Sequence, residues 1–556
     1  MKIRFLLYAV VISSLMNSCK KAPEVNSNQT SPGDTTKTPT LPTLSTTYGT
    51  YTISCVTGGN FLEVSGDNTQ GTKLKNGTTL DQAKASINTL NLTDRWQEWI
   101  ISKQPNGYFL IMNLNSGKII DVPSDVEVAG PGTVLDQYSF VGTNAQYWNI
   151  ISVGNGAYEI VNIGSGLAIT NHGSSLTAGT AITQEAYTNS GSQHWMLNTI
   201  NADSYRDDLV VGFFQRTTGS DAFDGGSSVP LTYGANNGQV FWTTNDTFYS
   251  QVNANGEFSC GLIFPYHNSG LIQPANHSWD PSQTLNVTSS DGVQIFHDTV
   301  TQNLFWPGAG IEVGNHIYVH NIEVIAGTLN TVNQYLCDIT ESTTTTIPAV
   351  NVLNIPGMSG QTAITYSIGM VKPGDGFVYV YGVGGFLGAN VYVARFATAS
   401  PTLWTFWDGT TWASSPTTAQ AAVVANGPVN NNTVGFANGK YVLITMDFGF
   451  SCDETSRNMY ASVSTSPTGP FINKKTVYSL PDYKLGHAPV FYNPTIHAEF
   501  NNGHNELLVD YCVNFYSKND GTGAVCLTPC SNPDGSEDPN DYRPKGVRIP
   551  FSMIGL

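Results

Sequence analysis

The chain has 556 residues, enough for about three to four domains at roughly 150 residues each. Charged residues make up 12 %, about half the usual share of roughly 25 %, while 55 glycines and 11 % aromatics mark a turn-rich β chain; coiled coils and highly charged disordered proteins are excluded. The formal net charge of −17, from 24 basic against 41 acidic residues, lacks the basic surplus a phosphate backbone requires and excludes nucleic acid as a partner.

In chain order, the first element is an apolar run from Phe5 to Met16 behind Lys2 and Arg4, the charged-then-apolar pattern of a secretory signal and too short for a spanning helix. The residues Leu15-Met16-Asn17-Ser18-Cys19 that end it resemble a bacterial lipobox. That resemblance implies acylation of Cys19 and an exported protein held at the outer membrane or cell surface by lipid chains. From Lys20 to about Thr47 the chain is rich in Pro, Ser and Thr and nearly free of apolar residues, so a disordered tether is expected over 20–47. Seven scattered cysteines follow Cys19, an odd number that does not describe a disulfide scaffold; the close pair Cys526 and Cys530 suggests a local disulfide.

Residues 48–201 carry an internal repeat: Gln97-Glu98-Trp99, Gln146-Tyr147-Trp148 and Gln193-His194-Trp195, 49 and 47 residues apart. Each unit, a short strand pair followed by Gln-x-Trp and apolar residues, resembles one lobe of a ricin-type β-trefoil lectin. The resemblance implies that the Trp residues share a core and that sugar is held by an Asp, an aromatic platform and polar groups near the Gln. The middle lobe retains that set, as Asp121, Tyr138, Asn144 and Gln146; the first has Glu63 and the third Thr170 at the Asp position. A carboxylate accepting paired hydroxyls beside an aromatic face suits a sugar ring. Purely structural lobes are the alternative.

From 205 to 556, short apolar runs alternate with Gly, Asn and Pro. Five hairpins, starting at Ser227, Phe305, Thr365, Asn431 and Asn493, align one under another at intervals of 78, 60, 66 and 62 residues. Units of this size with four strands each predict a five-bladed β-propeller, so the chain is read as all-β, a trefoil followed by a propeller. The run Val547 to Met553 is expected to pair with the segment around Leu209 to Phe214 and close the ring.

In a hairpin the start of one strand lies beside the end of the next, so one rim should collect both. That rim would hold Asp221, Asp224, Asp246, Trp306, His320, Asn321, Tyr366, Asn432, Asp447, Asn493, Thr495, His497 and Asn514, with Asn268 at its border. Asp224, Asp246 and Asp447 are the candidate catalytic carboxyls, since glycoside hydrolysis needs one protonated and one ionised group across the scissile bond. Trp306, His320, Tyr366, His497, Asn268 and Asn514 are the candidate substrate contacts. Against this, Asp224 before Gly225-Gly226 could make a turn, Asp246-Thr247 could cap a loop, and either imidazole could sit in the core. Glu499 could share the direction of His497.

The runs Phe223-Asp224-Gly225-Gly226-Ser227-Ser228-Val229-Pro230-Leu231, Thr244-Asn245-Asp246-Thr247-Phe248, Trp306-Pro307-Gly308, Tyr392-Val393-Ala394-Arg395 and Phe406-Trp407-Asp408-Gly409 resemble bacterial propeller domains of unknown function, some of whose relatives are the endo-D-arabinanases of glycoside hydrolase family 183. The resemblance implies a polysaccharide hydrolase with arabinan as the first candidate polymer, and the five-bladed fold, shared with glycoside hydrolase families 43 and 62, leaves arabinofuranoside and xylan chemistry open; Asn245 in place of a Gly and Ala309 in place of an acid depart from it. No metal-ligand spacing is visible, and no cofactor is expected. The reading is a monomeric surface lipoprotein acting on a polysaccharide, with a non-catalytic glycan-capture protein as the rival.

Overall fold

The computed structural model describes residue 44 and residues 48–556 apart from 65–73, 76–77, 80–84, 92–94, 105, 124–129, 139, 201–202, 255, 260–263, 290–291, 298–302, 327–329, 342–345, 348, 428, 430, 452, 483–486 and 515–535. The signal segment, Cys19, nearly all of the tether, and Cys526 with Cys530 lie outside the described residues. One tether residue does not: Leu44 is buried in the trefoil core and its N–H donates to the Ile150 carbonyl at 2.9 Å, so ordered packing starts earlier than the composition of 20–47 implied.

Six strands of the trefoil form a closed barrel, in which Tyr48–Cys55 pairs with both Glu98–Lys103 and the last strand, Trp195–Thr199, in the register Tyr51↔Thr199 and Cys55↔Trp195. Phe109–Asn113, Trp148–Gly154 and Ala157–Asn162 complete the circuit. Three hairpins cap the barrel: Phe61–Val64 with Ala85–Asn88, Ile119–Asp121 with Asp136–Tyr138, and Ala168–Asn171 with Thr180–Glu185. The repeated Trp explains the symmetry. Trp99, Trp148 and Trp195 are fully buried, and each indole N–H donates to the carbonyl of the matching cap strand, at Leu62 (3.0 Å), Ile120 (3.3 Å) and Ile169 (3.0 Å). A buried indole needs an acceptor, and the same one recurs in each lobe.

The five predicted hairpins are the two inner strands of five consecutive blades. The innermost strands are Gly226–Pro230, Leu304–Val313, Ile364–Val371, Asn432–Ala437 and Val490–His497, and each leads outward through its own sheet. Apolar clusters fill the gaps between neighbouring blades: Val229 and Phe241 meet Val319 and Cys337, and Val442 and Ile444 meet Leu507 and Val509. Close approach at the axis fixes several glycines. A Cβ on Gly310 would lie 2.8 Å from Val229, and one on Gly435 would lie 2.6 Å from Ile496.

Ring closure differs from the expected pairing. The outer strand of the fifth blade is Tyr205–Arg206, which pairs with Lys545–Pro550 in the register Tyr205↔Arg548. Leu209 to Phe214 instead belongs to the helix Asp208–Phe214, whose first amides are capped by the Asp207 carboxylate. Val210, Phe213 and Phe214 fill the gap between the fifth and first blades, against Trp242 and Leu508. An apolar run here packs as a short helix because its alternate residues do not face solvent, as a strand at the sheet's outer edge would require. Tyr205 and Leu209 also join Ile100, Leu110, Met112, Ile119, Phe140 and Tyr147 of the trefoil in one cluster, which docks the middle lobe against the start of the propeller.

Candidate active site in the propeller channel

Two antiparallel ladders meet at the mouth of the first blade. Ser220–Phe223 pairs with Thr247–Tyr249 up to Phe223↔Thr247, and Gly226–Pro230 pairs with Val240–Thr244 from Gly226↔Thr244. Asp224 and Asp246 occupy the step between them. The Asp224 N–H donates to the Asp246 carbonyl at 3.2 Å, and the Asn245 N–H donates to the Asp224 carbonyl at 2.9 Å. Gly225 adopts a φ of +56°, and a Cβ there would strike the Asn245 side chain at 2.5 Å, so glycine is what lets the two acidic residues lie side by side.

Their surroundings differ. Asp224 Oδ2 accepts from the Tyr492 hydroxyl at 2.9 Å, while Oδ1 is shut off from solvent without a partner. Burial, and then the charge of Asp246, raise the Asp224 carboxyl to about 7; hydrogen bonds from Tyr492 and Tyr542 oppose that shift. Asp246 Oδ1 accepts from the indole N–H of Trp306 at 3.1 Å and lies 2.7 Å from Nδ1 of His267. One carboxyl is therefore biased toward its acid form while the other is held by two nitrogen groups, the unequal pairing that separates an acid from a base.

Both open into a cavity of about 850 Å³ along the propeller axis, lined by all five innermost strands. Trp306, Phe450 and Tyr492 supply aromatic surface near the carboxyl pair; Phe450 is exposed and stacks on Tyr492 at 6.3 Å between centroids. Thr232, Glu312 and Lys372 line the part reached by the far ends of the innermost strands. Among the described residues no group of three His, Cys, Asp or Glu side chains is arranged to hold a metal ion.

Of the residues the sequence placed on this rim, Asp224, Asp246, Trp306, Asn432, Asn493 and Thr495 line the cavity. The others do not. Asp447 is engaged within its own blade, accepting from Ser456 Oγ (2.7 Å), the Asn458 N–H (2.8 Å) and the Tyr460 hydroxyl (3.0 Å), which makes it a loop brace. His320 is fully buried with Nε2 3.1 Å from Gln334 Oε1, and burial lowers its imidazole to about 4. Tyr366 packs between Trp404 and Phe406. Asn268 donates to the Phe296 and Phe305 carbonyls and accepts from the Ile295 and Phe296 amides, a buried staple. His497 is fully buried, 2.6 Å from Ser228 Oγ, so it stands behind the cavity wall. Asn514 lies at a strand end away from the lining, and Asp221 and Asn321 are buried.

Alternation explains these differences: successive side chains of a strand face opposite ways, so a rim position does not imply an axial direction. His267 illustrates it, reaching Asp246 while its neighbour Asn268 turns inward. Tyr492, Phe450, Ser228 and Glu499 line the cavity too; strand phase relative to the axis could have found Tyr492 and Ser228, whereas Phe450 and Glu499 lie just outside the strands.

In the middle lobe of the trefoil, Asp136 lies opposite Asp121 and Tyr138 opposite Ile119, so Asp121 and Tyr138 share one face of the cap hairpin. Asn144 is exposed. Gln146 is fully buried, and its side-chain oxygen accepts from the Val141 and Gly142 amides, which shapes the loop. Gln193 does the same in the third lobe, binding Thr188 and Ala186.

A channel of five innermost strands with a carboxyl pair at one end, joined to a symmetric lectin-like barrel, defines a two-module propeller protein. Residues 207–550 match the family described as Domain of unknown function (DUF5005), and the chain belongs to that family. Residues 40–138, 95–185 and 144–210 each match the ricin-type beta-trefoil lectin domain-like family, so the N-terminal module is a ricin-type trefoil. No curated protein matches the chain. Among solved structures it is similar to a Bacteroides ovatus protein described as a "putative hydrolase", at 20 % identity over 63 % of this chain and 90 % of that one, with a TM-score of 0.49. The trefoil is similar to the designed threefold-symmetric protein ThreeFoil, at 24 % identity over 27 % of this chain and 99 % of that one (TM-score 0.24). It is also similar to part of an exo-β-1,3-galactanase from Clostridium thermocellum, at 26 % identity over 27 % of this chain and 30 % of that one (TM-score 0.23).

Proposed function

We propose that the propeller is a glycoside hydrolase acting on a polysaccharide and that the trefoil is its glycan-binding module. The observation that carries this reading is the Asp224–Asp246 pair at the mouth of an axial cavity, adjacent in space yet held in unequal environments. In the reaction, protonated Asp224 gives its proton to the leaving alcohol oxygen as the glycosidic C–O bond breaks. Asp246 in its carboxylate form supports the attack on the anomeric carbon, water supplies the hydroxyl that ends on the sugar, and the proton that water loses returns to the carboxyl pair. Trp306 and Phe450 offer apolar faces to the C–H side of a ring. A trefoil joined to the enzyme raises the local concentration of polymer even when its own affinity is weak.

The resemblance of the motif runs to propeller domains that have endo-D-arabinanases among their relatives favours an arabinan as the polymer, and the charged-then-apolar N-terminus ending at Cys19 favours export and lipid anchoring. Protein lacking residues 1–43 should release oligosaccharides from one member of a panel of D-arabinan, L-arabinan, arabinoxylan and host glycans, and lose that activity as Asp224→Asn or Asp246→Asn. Binding without cleavage by the unaltered protein would overturn the hydrolase and leave a glycan-capture protein. Anchoring is tested separately, by detergent-phase partition of the full chain and its loss in Cys19→Ala.

A further inference from the structure

Away from the carboxyl pair, Ser228 and Glu499 line the same cavity, from the first and fifth blades. The Ser228 hydroxyl donates to Glu499 Oε1 in a very short contact, and Ser228 Oγ also lies 2.6 Å from Nδ1 of His497. Behind them Nε2 of His497 faces Asp510 Oδ2 at 3.4 Å, with both groups completely buried and the imidazole packed on Trp242 at 4.8 Å. Four polar groups thus form one line from the core to the cavity surface, of which only the last two can meet a ligand.

Proton counting shows what such a line can do. With Ser228 donating to Glu499, Nδ1 of His497 carries a hydrogen and gives it to Ser228. In the reverse order protonated Glu499 gives to Ser228 and Ser228 gives to Nδ1. The two orders differ in direction, so Glu499 can present either an acceptor or an acid to the cavity. Burial also pushes the Glu499 and Asp510 carboxyls up, which brings both orders within reach. A sugar hydroxyl is both donor and acceptor, and a wall that can reverse its polarity matches either orientation.

We propose that Ser228 and Glu499, held from behind by His497 and Asp510, form a second tier of the axial cavity that binds an uncharged sugar ring through adjacent hydroxyls. This deepens the hydrolase reading by assigning the class of sugar to the same cavity. Charge points the same way. The ionisable side chains of the lining are four carboxyls, Asp224, Asp246, Glu312 and Glu499, against the single ammonium of Lys372, a balance that disfavours uronate, sulfate and phosphate groups even with Asp224 in its acid form. Lys372 moreover donates to the Glu312 carbonyl at 2.8 Å and is drawn to the far end of the cavity.

The test compares Ser228→Ala and Glu499→Gln with the unaltered protein lacking residues 1–43. Neutral and uronate-bearing oligosaccharides of equal length, taken from whichever glycan class binds, are used for calorimetric binding and, where cleavage occurs, for steady-state rates. Thermal melting controls for folding. The expected result is weaker binding of the neutral oligosaccharide by about tenfold or more in each variant, raising KM more than it lowers kcat, with the uronate-bearing form bound poorly throughout. Unchanged binding in both variants, or preferred binding of the uronate form, would overturn the proposal. If the unaltered protein binds but never cleaves, and the variants still weaken binding, the hydrolase reading fails while this tier stands.

Discussion

Asp224 and Asp246 exchange their contacts through the backbone, the amide of the first donating to the carbonyl of the second at 3.2 Å, at a step between two ladders. Because main-chain hydrogen bonds set that approach, substitution of either side chain should leave the step in place. Removing a group that transfers a proton in the transition state typically costs about 10²–10⁴-fold in rate. Asp224→Asn and Asp246→Asn are each expected to lose at least that in kcat/KM, with KM of any residual activity changed much less.

The pH profile should follow Asp224. A general acid works while protonated, so with its carboxyl at about 7 the rate should fall as pH rises through about 7, tenfold per pH unit beyond it. The Tyr492 hydroxyl favours the ionised form, and its loss in Tyr492→Phe should move the alkaline limb to higher pH. A limb that stays in place would mean that another group sets it.

The same carboxyl should make the site locally destabilising. Its folded value of about 7 stands above the ordinary 3.8, so the native state binds the extra proton and the stabilising effect, full below about 4, is lost as pH rises through 7. Asp224→Asn should therefore melt higher than the unaltered protein at pH 8, with the difference shrinking toward pH 4. Melting curves at three pH values measure it.

Asp447→Asn separates a brace from a catalytic group. The carboxylate ties Ser456, Asn458 and Tyr460 within one blade, so its replacement should cost about 1–3 kcal/mol of stability by denaturant titration. Turnover by the folded fraction should change by less than about threefold. A loss comparable to that of Asp224→Asn would return Asp447 to the reaction.

Ring closure depends on an ion pair as well as a ladder. Arg548 Nε donates to Asp207 Oδ2 at 2.8 Å with both side chains buried, and Asp207 also caps the helix Asp208–Phe214. Asp207→Ala strands the guanidinium and uncaps the helix, and should cost about 3–5 kcal/mol. Arg548→Met in the same chain should recover part of that loss, as seen in a double-mutant cycle.

Much of this architecture was legible in the residues. The Gln-x-Trp triplets marked the trefoil because a buried indole needs one fixed acceptor, and the hairpin alignment marked all five blades because each innermost strand opens a similar hairpin, at intervals of 60 to 78 residues. Asp224, Asp246 and Trp306 were visible as chemistry on a rim. Side-chain direction was hidden: His320 and Tyr366 on their strands, and Asn268 just before one, are buried away from the cavity, while Tyr492 and Phe450 line it. The closing strand was hidden as well, since Tyr205–Arg206 is too short for a pattern and the apolar run beside it reads equally as strand or helix.

That closing strand sets an order of events during synthesis. Asp207 leaves the ribosome 341 residues ahead of Arg548, and Tyr205–Arg206 must wait the same interval for Lys545–Pro550. The trefoil, whose first and last strands are joined early, can finish folding while the ring still lacks its final seam. Translation that stops short of that seam would leave a completed trefoil tethered to an open circle of blades, with the apolar face of the helix Asp208–Phe214 uncovered and available to chaperones or proteases.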